Sequence, residues 1–88
     1  MLSTAGYSVI YDNTKWVAVG AGTNTIAYSS VTNPTIWTGL GYSIFKNANG
    51  IIYGNSIYVS VGNGNNSIGY SLNGTEWVGL GTTIFTVV

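Results

Sequence analysis

The chain has 88 residues, of which 45% are hydrophobic, 14% aromatic and only 5% charged, with no histidine, no cysteine and a formal net charge of zero. Such a chain forms one small domain that buries roughly 60 to 65% of its unfolded surface, and high hydrophobicity with so little charge excludes a disordered polypeptide. The charge balance gives no electrostatic basis for holding nucleic-acid phosphates or an anionic membrane, while the missing Cys and His remove disulfides, thiolate nucleophiles and zinc-type metal sites.

The opening MLSTAGYSVIYD carries neither a basic segment nor a long apolar run and does not read as a signal peptide. No stretch approaches the roughly 20 apolar residues of a membrane helix. From there on, short runs of Val, Ile, Thr, Tyr and Trp alternate with Gly and Asn clusters, which predicts β structure throughout. Strands are expected at 8–11, 15–20, 25–29 and 36–40, then again at 51–53, 57–62, 67–71 and 76–80. The intervening DNT, AGTN, NGNN and LNGT supply the residues that tight turns demand.

The second four strands repeat the first. IYDNTKWVAVGAGTNTIAYS, from Ile10 to Ser29, falls on IYGNSIYVSVGNGNNSIGYS, beginning 42 positions later at Ile52. Beyond it TIWTGLGYSIF falls on TEWVGLGTTIF at an offset of 40, so Trp37, Gly39, Leu40, Gly41, Ile44 and Phe45 meet Trp77, Gly79, Leu80, Gly81, Ile84 and Phe85. The two extra residues of the first copy lie in SSVTNPTIW, where a surface loop tolerates them. The expected units are about 1–47 and about 48–88, joined through IFKNANGIIYGN.

Within WVAVG and TIAYS a bulky face alternates with a small one, and neither is charged. Both faces are therefore expected to be covered, the large side chains of one sheet settling on the small residues of the next. Val17, Val19, Ile26, Tyr28 and Trp37, with their counterparts Val59, Val61, Ile68, Tyr70 and Trp77, are the expected packing and assembly residues. A period near 40 in β structure is that of propeller blades.

YSLNGTEW, from Tyr70 to Trp77, resembles the Asp-box of sialidase-like β-propellers, with Ser71, Gly74 and Trp77 in kind and order and Asn73 in place of the aspartate. The wider phrase, WVAVGAGTNTIAYS followed by WTGLG and IF, is similar to tandem blade repeats of propeller-like proteins from giant DNA viruses and bacteria. That resemblance implies an all-β chain of two four-stranded antiparallel blades. A propeller closes with typically four to eight blades, so two are expected to be completed by oligomerisation, as a homotrimer or homotetramer of six or eight blades. An open filament is the outcome if the head-to-tail rotation does not close.

Catalysis requires groups that move protons, attack or polarise. The only carboxylates are Asp12 and Glu76, and neither recurs in the repeat. Both are expected at solvated turns. The arginine cluster of the sialidase-like proteins has no counterpart, since the chain lacks Arg, and neither an enzymatic activity nor a cofactor is expected. Recurring Asn24 and Asn66, with Tyr11 and Tyr53, are the candidates for a lectin-like carbohydrate site, because amides satisfy hydroxyls and aromatic faces pack on sugar rings. Turn capping and packing are the alternative role for the same residues. The leading expectation is a non-catalytic, self-assembling scaffold or interaction platform.

Overall fold

The computed structural model describes residues 5–30 and 36–83. Most of the expected insertion in SSVTNPTIW, together with Ile84 and Phe85, lies outside the described residues. The chain is all-β: β1 Ala5–Tyr11, β2 Trp16–Ala21, β3 Ile26–Ser29, β4 Thr38–Gly39, β5 Asn47–Gly54, β6 Ile57–Asn63, β7 Ile68–Ser71 and β8 Val78–Gly79. All pairings are antiparallel, and they form one sheet ordered β4-β3-β2-β5-β6-β7-β8, with β1 also paired to β2.

The two halves are built to the same register. In the first, Ser8 faces Val19, Ile10 faces Val17 and Tyr11 faces Trp16; in the second, Gly50 faces Val61, Ile52 faces Val59 and Tyr53 faces Tyr58. Each first strand carries an irregularity at the same place, between Gly6 and Ser8 and between Ala48 and Gly50. The turns differ. Asn55 and Ser56, both at positive φ (55° and 65°), make a two-residue hairpin turn, whereas the turn between β1 and β2 is closed by the Asp12 side chain.

The joint between the halves is one bridge, Ala21 to Asn47, and the sheet curls sharply there into a half-barrel. Strand β5 begins at Asn47, so the segment expected to link the units is itself half strand. Asn and Gly have low strand propensity, and pairing of Asn47 with Asn63 and Ala48 with Gly62 overrides it. The curl lays one half on the other: Val17, Val19 and Ile26 share a single buried cluster with Phe45, Ala48, Ile51 and Tyr58, and Ile10, Tyr28, Leu40, Ile44 and Trp77 pack around it. Cα extents of 44 × 30 × 17 Å leave depth for about two sheet layers, which stack about 10 Å apart.

Candidate functional site

The doubled GLG phrase is explained by one side chain in each half. Asn66 Oδ1 accepts the Gly81 N–H at 2.8 Å, and its Nδ2 donates to the Ile44 carbonyl at 2.8 Å. Asn24 Oδ1 accepts the Gly41 N–H, also at 2.8 Å. Each amide lies flat on the glycine two residues earlier: a Cβ on Gly39 would overlap Asn24, and one on Gly79 would overlap Asn66. Gly41 and Gly81 hold φ near +83° and +82°, the left-handed region that glycine enters without steric cost. Thr25 N–H to Gly41 C=O (2.8 Å) and Ser67 N–H to Gly81 C=O (2.9 Å) close the same turns. The recurring asparagines are thus committed to backbone groups. Tyr11 and Tyr53, about half exposed, stack on the residues directly across the hairpin, Trp16 at 4.7 Å and Tyr58 at 4.5 Å between centroids.

The Asp-box-like segment folds as a capped turn. Ser71 Oγ accepts the Gly74 N–H at 2.7 Å and the Asn73 N–H at 3.2 Å. Asn73 Oδ1 accepts the N–H groups of Thr75 and Glu76 at 3.0 and 2.9 Å and the Ser71 hydroxyl at 3.1 Å. Trp77 Nε1 donates to the Gly74 carbonyl at 3.0 Å, and its indole lies tilted at 55° to the Tyr58 ring, with centroids 6.3 Å apart. Asn73 thus caps the turn through its amide oxygen.

Neither carboxylate is free of its own turn. Burial of the Asp12 carboxyl works against its charge, but the Thr14 hydroxyl, the N–H groups of Thr14 and Lys15 and the Lys15 ammonium all donate to it and hold it at about 2. Lys15 Nζ lies 3.2 Å from Asp12 Oδ2 and 5.4 Å from the Tyr58 ring centroid, so this turn of the first half reaches across onto the second. Glu76 is exposed and accepts from Asn73 Nδ2 at 3.0 Å. Among the described residues no cluster of three or more His, Cys, Asp or Glu forms.

The packing residues named from the sequence divide into two groups. Val17, Val19 and Ile26 are sealed inside, and Tyr28 and Trp77 pack against them; Trp37 is half-buried. Apart from Trp77, the second-copy counterparts face outward. Val61 is 41% exposed, Val59, Ile68 and Tyr70 are half-buried, and Ile52 (67%), Leu72 (70%) and Val78 (49%) extend the same face. The expectation that both faces of every strand are covered thus fails for β6, because among the described residues no further sheet lies beyond it. It also fixes what a charge would do: at Val17 it would break the chain's own core, and only at positions such as Val59 or Val61 would it test association.

A shallow depression beside Ile52, Val59 and Val61 is lined also by Gly50, by the core residue Ile51 and by Ser8 of the first half. Sequence reasoning missed Ile52, Leu72 and Val78 as members of this face. The available signal was their two-residue spacing from Tyr70 and Gly50 and their pairing with Val59 and Tyr70. Comparison of the chain with protein-family models, curated proteins and solved structures finds no match.

Proposed function

We propose that this protein is a self-assembling structural module, two four-stranded blades whose copies complete one another into a closed β-propeller that serves as a scaffold or interaction platform without catalysis. The observation that carries this reading is the apolar face of Ile52, Val59, Val61, Tyr70, Leu72 and Val78, with Glu76 at its edge, left uncovered on a chain whose other bulky face is sealed. A contiguous apolar face of this kind marks an interaction surface. Full burial is worth roughly 1.5 to 3 kcal/mol for each large apolar side chain, and a small domain holds only about 5 to 15 kcal/mol of net stability, so covering the face changes the balance decisively. A homotrimer or homotetramer would give six or eight blades. The carbohydrate alternative draws no support from Asn24 and Asn66, whose amide oxygens both accept backbone N–H groups.

Light scattering at micromolar concentration tests the proposal. A species of three or four chains is the expected result, unchanged by Lys46→Glu at an exposed position and lost with Val61→Asp. A cooperatively folded species of 9.2 kDa would refute it. Long fibres seen by electron microscopy would keep the association and refute the closure.

A further inference from the structure

The two halves of the chain do not close on each other everywhere. Between the end of the first half and the capped turn of the second lies a cavity of about 150 Å³. Ile26, Leu40 and Ile44 supply its apolar lining, Trp77 an aromatic one, and Ser43 and Thr75 bring hydroxyls. A cavity of this size lined by apolar side chains alone takes up one benzene ring, and sites for drug-sized ligands and cofactors hold roughly 300 to 1,000 Å³. The occupant therefore has one ring, which excludes nucleotides and larger cofactors. No charged side chain lines the cavity, so an ion entering it would lose hydration without a compensating charge. A pyranose combines what remains: one ring, C–H groups on its faces for the indole and the aliphatic side chains, and hydroxyls at its rim for Ser43 and Thr75. We propose that this cleft between the halves is a binding site for a single neutral sugar ring.

The local chemistry holds the walls in place. Beyond Asn73 the side chains alternate: Thr75 and Trp77 line the cavity, while Glu76 and Val78 line the depression on the outward side with Tyr70 and Leu72. The carboxylate of this segment is thus kept off the site, where Asn73 Nδ2 holds it at 3.0 Å. Thr75 N–H donates to Asn73 Oδ1 at 3.0 Å and Trp77 Nε1 to the Gly74 carbonyl at 3.0 Å. On the opposite wall Asn24 Oδ1 accepts the Gly41 N–H, Asn66 Nδ2 donates to the Ile44 carbonyl and Asn65 Nδ2 to the Ser43 carbonyl, at 2.8, 2.8 and 3.3 Å. Gly41, Ser43 and Ile44 all line the cavity. Asn24 and Asn66 therefore serve as positioning residues, fixing the backbone of the wall. None of these bonds uses the hydroxyl of Ser43 or Thr75, each of which can donate to and accept from a sugar hydroxyl. Walls fixed before the ligand arrives lose little freedom on binding. Both walls belong to one chain, so the site goes beyond the proposed assembly and does not depend on it.

Titration of the ¹⁵N-labelled chain with the methyl glycosides of glucose, galactose, mannose and N-acetylglucosamine, up to about 50 mM to reach millimolar dissociation constants, tests the site. The Trp77 indole signal is identified by its loss in Trp77→Phe. At least one glycoside is expected to shift that signal saturably while leaving the Trp16 indole signal in place. Ser43→Ala and Thr75→Val, which remove hydroxyls that the turns do not use, are expected to keep the wild-type spectrum elsewhere and each to weaken binding about threefold to tenfold. No saturable shift of the Trp77 signal with any of the four overturns the proposal, as does binding that both hydroxyl variants leave unchanged. Uptake of toluene with no response to any glycoside overturns it too, by showing an apolar cavity. Saturable glycoside binding by a chain that stays monomeric would support the site and refute the proposed assembly.

Discussion

Gly79→Ala, compared with Asn66→Ala and with the two combined, tests whether the repeated glycine exists to seat the asparagine. Gly79 has no unusual φ, so alanine meets no backbone strain there, but its Cβ would overlap the Asn66 amide. Expelling that amide loses the bonds to Gly81 N–H and Ile44 C=O. A partly buried donor or acceptor left without its partner costs about 1 to 3 kcal/mol, so Gly79→Ala should lower stability by about 2 to 4 kcal/mol. Asn66→Ala loses the same two bonds and should cost about as much. In the double variant the clash has vanished and the bonds are lost only once, so the total stays near that of either single change. The coupling is then about 2 to 4 kcal/mol in magnitude, far outside the few tenths seen for independent sites. Urea unfolding followed by tryptophan fluorescence measures it, with each single change moving the midpoint by roughly 2 M at a slope near 1 to 1.5 kcal/mol per M. All samples must share one chain concentration, because association adds to apparent stability. Additive losses in the double variant would refute the seating argument.

The Asp12 carboxyl, held at about 2 against an ordinary 3.8, contributes stability that is complete above about pH 5 and is lost as the pH falls through 3.8 towards 2. The contribution is about 2 kcal/mol, and Asp12→Asn should flatten the stability profile of acid titrations between pH 5 and 2. Ser56, at φ 65° in the hairpin turn, occupies a conformation that glycine adopts at less cost. Ser56→Gly should raise the thermal midpoint, by the equivalent of about 0.5 to 1 kcal/mol. Asn73→Asp keeps the acceptor oxygen that Thr75 and Glu76 bond but replaces the donor to Glu76 with a second negative charge. A loss of under about 1 kcal/mol at pH 7, recovered by adding Glu76→Gln, is the expected outcome in thermal melts.

The periodic part of the fold was legible. Alternation in WVAVG and TIAYS set the faces, and the offset of 42 set two equal registers, because each is a local property of the strand. The asymmetric part was not. Val17 and Val59 occupy equivalent places in the sequence, and only the curl at Ala21 and Asn47 decides that the first is sealed and the second open. Phe45, fully buried, and Ala48 escaped notice as core because they sit in an Asn- and Gly-bearing stretch that reads as a linker. The role of Asn24 and Asn66 was open between ligand and turn until the partners of their amide oxygens were known. A side chain's hydrogen-bond partner some 15 to 22 residues away carries no local signal.

If copies associate as proposed, the exchange of Lys15 for Ile57 would suit the different demands on a contact within the chain and one between copies. Within the chain, the halves are tethered through Asn47, and docking one on the other sacrifices no translational freedom. A lysine whose stem covers Tyr58 while its ammonium pairs with Asp12 is sufficient there. A contact between copies, as proposed, would join separate molecules, and association costs an estimated 4 to 15 kcal/mol or more before any affinity remains. An isoleucine adds buried apolar area worth roughly 1.5 to 3 kcal/mol when fully covered and removes the need to desolvate an ammonium. Gly54 likewise stands where Asp12 does, so no carboxylate would be stranded at that junction. Both charged groups of the Asp12–Lys15 turn are thus replaced by uncharged residues in the second copy, while Glu76 lines the depression beside Tyr70, Leu72 and Val78.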